Sequence, residues 1–140
     1  MAAEQVVFLD TNVLIRYLTG DKPDQSRRAL AFLQQVETGA IIVSTCEGVL
    51  VEVVQVLSSQ RLYNQPREWI AATLTDVLRL RGVRLAGKAI YLRALEIYGQ
   101  ENVDFVDALC VAHAERTGVT TIVSFDRDLD RFPSVRHREP

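Results

Sequence analysis

Short apolar runs that stop at polar or acidic residues, separated by stretches of helical periodicity, constrain this chain more than any other feature. Val6-Val7-Phe8-Leu9 is continuous and apolar, the pattern of a strand buried on both faces, and it runs straight into Asp10-Thr11-Asn12. Ile41-Ile42-Val43 repeats the pattern and ends at Ser44-Thr45; Thr120-Thr121-Ile122-Val123 repeats it again and ends at Ser124-Phe125-Asp126. Val83-Arg84-Leu85 is a shorter candidate strand, and Val135 opens a candidate edge strand. Between these runs the apolar residues fall at helical spacing. Helices are expected over Val13–Leu18, from a cap at Asp24 through Val36 to a stop at Gly39, and over Glu47–Leu57. Further helices are expected from Pro66 to a stop at Gly82, over Ala89–Tyr98, and from Asp104 to Gly118. The last should bury Val106, Leu109, Cys110, Val111 and Ala114. Alternating strands and helices mean an α/β fold with a central, mainly parallel sheet and helices on both faces.

The chain has 140 residues, which fits one compact domain over 1–140 and requires neither disulfides nor structural zinc. Its two cysteines suggest no disulfide framework. Met1-Ala2-Ala3-Glu4-Gln5 lacks the basic start and apolar run of a secretory leader. No stretch approaches the roughly 20 apolar residues of a membrane span. A cytoplasmic protein without a membrane partner is the expectation. The 16 basic residues include only two lysines, Lys22 and Lys88. Arginine suits phosphates and stacked bases, although codon bias would leave the same imprint.

In parallel α/β sheets, ligands bind at the carboxyl ends of the strands. Asp10 and Asp126 both follow strands, so both should stand at that edge. Glu52 lies within Leu50-Val51-Glu52-Val53-Val54, and a glutamate in so apolar a helix should be partly buried. Asp104 and Asp107, three apart, share one face at a helix start. Each acid alone has a structural explanation: a turn or cap for Asp10, Asp104 and Asp126, a helix-terminus charge for Asp107, and an exposed or arginine-paired residue for Glu52. Their convergence at one sheet end is harder to explain that way, because grouped carboxylates repel unless a cation stands among them. An all-oxygen set suits Mg²⁺ or Mn²⁺, and Mg²⁺ in an acidic pocket implies phosphodiester chemistry. Cys110-x-x-His113 has zinc-like spacing but offers only two ligands on one helix. A phosphatase of the haloacid-dehalogenase type wants a second aspartate where Asn12 stands and a late lysine, and none follows Lys88.

Four segments carry a wider likeness: Phe8-Leu9-Asp10-Thr11-Asn12-Val13-Leu14, Val49-Leu50-Val51-Glu52-Val53-Val54, Asp104-Phe105-Val106-Asp107-Ala108-Leu109, and Ile122 through Leu129. In this order and at these intervals the chain resembles the PIN-domain nucleases, most closely the short ribonucleases of VapBC-type toxin–antitoxin pairs. The resemblance implies a three-layer α/β/α sandwich and a metal-dependent endoribonuclease. Asp10, Glu52, Asp107 and Asp126 would be the metal-binding acids, with Asp104 and Asp128 as auxiliaries. It implies that Asn12 orients the first acid or the waters of the ion, and it places Ser44 at a strand-end hydroxyl position. Thr11 reads as a cap, while Phe125 and Arg127 flank the last acid and are placed to face RNA, with packing as the competing role of Phe125. Single-stranded RNA, an inhibitory antitoxin and a second copy of the chain are the implied partners. Leu57, Leu62, Tyr63 and Trp69 are candidates for the dimer contact, with core packing as the competing role. The alternative is a PIN-like module that binds RNA or protein without cutting.

Overall fold

The structure is a computed structural model that describes residues 6–140; the opening segment read for a leader lies outside the described residues. The elements follow in the order β1 (Val6–Phe8), α1 (Thr11–Leu18), α2 (Pro23–Thr38), β2 (Ile42–Ser44), α3 (Glu47–Ser58) and α4 (Arg67–Leu78). Then come β3 (Val83–Arg84), α5 (Lys88–Gln100), α6 (Phe105–Thr117), β4 (Thr121–Val123), a 3₁₀ turn (Arg127–Arg131) and β5 (Arg136–Arg138). Among the described residues every strand pairing is parallel. Parallel neighbours need long crossovers, and α1–α2 and α3–α4 supply them between β1, β2 and β3.

The fold is α/β, as expected, but its strands form two ladders. β1, β2 and β3 pair in that order, while β4 pairs with β5. The expectation that β1 is buried on both faces is corrected: β1 is an edge of its ladder, and Val6 and Phe8 are 49% and 59% exposed. Val123 on β4 is likewise exposed. The strand core is carried by β2, where Ile42 and Val43 are buried between neighbours on both sides.

Helix ends follow from local chemistry. Pro23 stands at the first position of α2, where its missing N–H costs nothing. Lys22 holds the cap position expected for Asp24, which sits instead in the first turn and favours the positive end of the helix dipole. Gly39 and Gly118 end α2 and α6 in left-handed conformations, with φ of 82° and 77°. Pro66 occupies the cap of α4, and that helix ends at Arg79 rather than at Gly82. Gly82 has another purpose. A Cβ there would stand 2.3 Å from the Ile41 carbonyl oxygen and 2.8 Å from that of Val36, so two backbones approach where only hydrogen fits.

The core lies between the sheet and the helices. Leu14, Val36, Val43, Leu50, Leu57, Ile70, Leu74, Leu95 and Val111 are fully buried and come from α1 to α6 and β2. Burial of each large aliphatic side chain contributes about 1.5–3 kcal/mol. Leu57 therefore belongs to the core, whereas Leu62 is exposed. Two core assignments on α6 are corrected. Val106 and Cys110 lie four apart, share one helix face and are exposed, whereas Phe105, Ala108, Leu109 and Ala112 face inward. Both cysteines are free. Among the described residues, no helix is long and apolar enough to cross a membrane.

Candidate metal centre

The ends of β1, β2 and β3 are fastened together by backbone and one hydroxyl. The Leu9 N–H donates to the Ser44 carbonyl at 2.8 Å, and the Thr45 N–H donates to the Arg84 carbonyl at 3.3 Å. Thr45 is buried, and its Oγ1 donates to the Leu9 carbonyl at 3.2 Å. Ser44 was the expected strand-end hydroxyl; its carbonyl joins β1, and Thr45 provides the hydroxyl tie between strand ends. Asp10 follows at once as the residue before α1. It stands at the N-cap position, exposed, and its carboxylate makes no capping hydrogen bond.

Glu52 reaches the same corner from α3. Thr11 Oγ1, at the first position of α1, donates to Glu52 Oε2 at 3.1 Å. Thr11, read from sequence as a cap, thus ties α1 to α3. The expectation that Glu52 is partly buried is corrected: Val49, Leu50, Val53, Val54 and Leu57 turn to the core and Glu52 turns outward. Asn12 is exposed beside Asp10.

A second acidic group lines a cavity of about 390 Å³ at the start of α6. Asp104, Asp107, Asp126 and Asp128 face it together with Arg67 and Tyr98. Asp104 holds the N-cap position of α6 without a side-chain capping bond, so its carboxylate remains available to the cavity. Asp126 has a divided role, because its Oδ1 accepts from the Asp128 N–H at 2.9 Å and shapes the 3₁₀ turn. Ser124 Oγ in turn accepts from the Asp126 N–H at 3.0 Å. Asp107 is the most enclosed of the four and its carboxyl is pushed up from its ordinary value. Burial is the first cause, and the charges of Asp126, Asp104 and Asp128 add to it. Each of these charges disfavours ionisation of Asp107, and a cation among them would reverse that effect.

The geometry thus sorts the predicted acids into Asp10 with Glu52, near Thr11, and Asp107 with Asp126, joined by the auxiliary Asp104 and Asp128. The donors are all carboxylate oxygens, which fits a hard divalent cation. Among the described residues, however, no three of His, Cys, Asp or Glu stand in the tight grouping that encloses a metal ion. The acids line the cavity wall instead of converging on one point.

Sequence reasoning passed over several residues around these acids. Glu47, at the start of α3, stands 3.2 Å from the Nε2 of His113. Its charge also helps burial to push up the Tyr91 hydroxyl. Arg67 was equally invisible, since its contacts lie more than thirty residues away: Nη1 donates to the carbonyls of Tyr98, Glu101 and Val103 at 2.9, 2.7 and 3.0 Å. Phe125 is 77% exposed, so of its two sequence roles packing is excluded.

A family model for the PIN domain matches residues 7–135, and the chain belongs to that family. PIN domains are generally nucleases that use divalent metal ions. A comparison with curated proteins gives no match.

Proposed function

We propose that the chain is a single-domain, Mg²⁺- or Mn²⁺-dependent endoribonuclease that cuts single-stranded or looped RNA. The observation that carries this is the set of four aspartates, Asp104, Asp107, Asp126 and Asp128, that line one cavity of a PIN domain. Asp10, Glu52, Asp107 and Asp126 are the acids assigned to the metal, with Asp104 and Asp128 as further oxygen donors and Asn12 and Ser44 in support. Bound there, a divalent ion supplies an activated water and offsets charge building on the phosphate oxygens.

The chain's own residues account for the rest. Thr11 holds the Glu52 carboxylate beside the start of α1, and Thr45 fixes the end of β1 from which Asp10 projects. Ser124 and the Asp128 N–H fix Asp126 at the end of β4. Exposed Phe125 and Arg127 flank that acid, one able to stack on a base and the other to meet a phosphate. The products expected are a 5′-phosphate and a 3′-hydroxyl.

The further likeness to VapBC-type ribonucleases extends the proposal to a cytoplasmic toxin held inactive by a cognate antitoxin and working as a homodimer. An antitoxin arginine or lysine among the acids would be favourable for the same reason as the metal. Exposed Leu62, between α3 and α4, is a candidate for the dimer contact.

Incubation of the purified protein with end-labelled RNA tests the proposal. Cleavage in Mg²⁺ or Mn²⁺, stopped by EDTA and abolished in Asp10→Asn with folding intact, is the expected result. Cleavage that persists at the wild-type rate in both cases sinks it. Metal-independent RNA binding without any cleavage would establish the binding-module alternative.

A further inference from the structure

The acidic cavity is assembled from two chain segments that share negative charge. One runs from the end of α5 through Asn102 and Val103 to Asp104 and Asp107; the other is the 3₁₀ turn that follows Asp126 and contains Asp128. Like charges on the two segments push them apart. Arg131 bridges them, and Arg67 anchors the first to α4. Arg67, at the start of α4, donates through Nη1 to the carbonyls of Tyr98, Glu101 and Val103 and through Nη2 to Asn102 Oδ1 at 3.1 Å. Its guanidinium also lies 4.5 Å from the centre of the Tyr98 ring, which fixes its plane. Arg131 grips the same turn from the other side, with Nη1 donating to the Asn102 carbonyl at 3.2 Å. Its Nε donates to the Asp128 carbonyl at 3.1 Å, and its Nη2 lies 3.8 Å from Asp128 Oδ1.

Asn102 is therefore held by its side chain to Arg67 and by its backbone to Arg131. A continuous path runs from α4 through the α5–α6 turn to the acid-bearing 3₁₀ turn. The Arg67 fork is spent on acceptors of the protein itself. That employment fits a structural tie better than a contact with substrate.

We propose that Arg67 and Arg131 form a clamp on Asn102 that sets the gap between the Asp104–Asp107 and Asp126–Asp128 segments, and so the affinity of the cavity for a divalent cation. This rests on the metal-dependent reading above. Both arginines are positioning residues in it.

Charge and position predict opposite signs, which makes the clamp testable by Mn²⁺ binding to the full chain, read by calorimetry or by loss of the free-ion spin-resonance signal. On charge alone, Arg131→Gln removes a competing cation and tightens Mn²⁺ binding, while Arg131→Lys changes nothing. The clamp predicts weaker binding in both, by about 10-fold, the order seen when partners that orient metal ligands are lost. Arg67→Lys keeps the charge but lacks the second nitrogen that holds Asn102 Oδ1 while the first serves the carbonyls, and it should weaken Mn²⁺ binding likewise. Melting temperature is followed for each variant. Arg131 is at the surface, so its variants keep the test valid if Arg67→Lys does not fold. If the wild type binds Mn²⁺ and the Arg131 variants bind it equally or more tightly, the clamp is overturned alone. If the wild type binds no Mn²⁺, the metal reading is overturned and the clamp falls with it.

Discussion

At Asp107 the conflict between stability and function is visible in one side chain. A carboxyl raised by burial and by Asp126, Asp104 and Asp128 binds its proton more tightly in the folded chain than in the unfolded one. Its stabilising contribution is therefore complete below the unfolded value, roughly 3.9, and is lost as pH rises through the higher folded value. Asp107→Asn should remove that loss. In EDTA at pH 7 the variant is expected to melt at or above the wild-type temperature, with the difference closing toward pH 3; a lower melting temperature at pH 7 contradicts the assignment. Thr11 makes the opposite case. Its buried hydroxyl spends its hydrogen on Glu52, so Thr11→Val should cost about 1 kcal/mol in urea denaturation.

At the scale of elements, Gly82 and His137 decide how strands meet their surroundings. In Gly82→Ala, just before β3, the new Cβ would collide with the Val36 and Ile41 backbone carbonyls at the α2–β2 junction, which cannot rotate away as side chains do. A loss of about 3 kcal/mol in denaturant unfolding is expected. On β5, His137 is nearly enclosed, with Nδ1 3.1 Å from Asp130 Oδ1 and Nε2 hydrogen-bonded to the Ser124 carbonyl. Only imidazolium donates from both nitrogens. The Ser124 carbonyl is the main cause of the raised His137 value; Asp130 adds to it and burial opposes it. The sign is that of a cation gaining partners: the contribution is complete below the unfolded value, near 6.5, and is lost as pH rises through the folded value. Wild-type melting temperature should fall as pH rises above about 6.5, and His137→Gln should flatten that fall. Equal slopes would remove His137 from the account.

The elements also show what the sequence could and could not reveal. Apolar runs located β1, β2 and β4, and left-handed glycines marked the ends of α2 and α6, because those signals are local. The edge position of β1 was not legible. A run of Val-Val-Phe looks the same at the rim of a ladder as at its centre, and only pairing partners distinguish them. Val106 and Cys110 misled for a related reason: α6 is apolar around much of its circumference, so periodicity did not select the inward face. Around the acids, strand-end placement set Asp126 beside Asp10 at one sheet edge, whereas β1 and β4 lie in different ladders and Asp126 lines a cavity with Asp107. The entry of Asp128 into the cavity depends on the 3₁₀ turn, and the grip of Arg67 on the α5–α6 turn depends on tertiary folding. Neither leaves a local pattern.

For the molecule as a whole, 18 acidic residues against 16 basic ones leave a net charge of -2, with four aspartates around one cavity. Such a cavity repels RNA until cations stand between carboxylates and phosphates. Under the proposed function, the divalent ion is therefore required for productive RNA contact as well as for chemistry. The most direct measurement is a cleavage time course on one single-stranded RNA by wild type and Asp107→Asn, each with Mn²⁺ and with EDTA. The account predicts cutting by the wild type only in Mn²⁺, and a rate at least about 100-fold lower for a correctly folded Asp107→Asn. Equal rates for the two proteins, or wild-type cutting undiminished in EDTA, would contradict it.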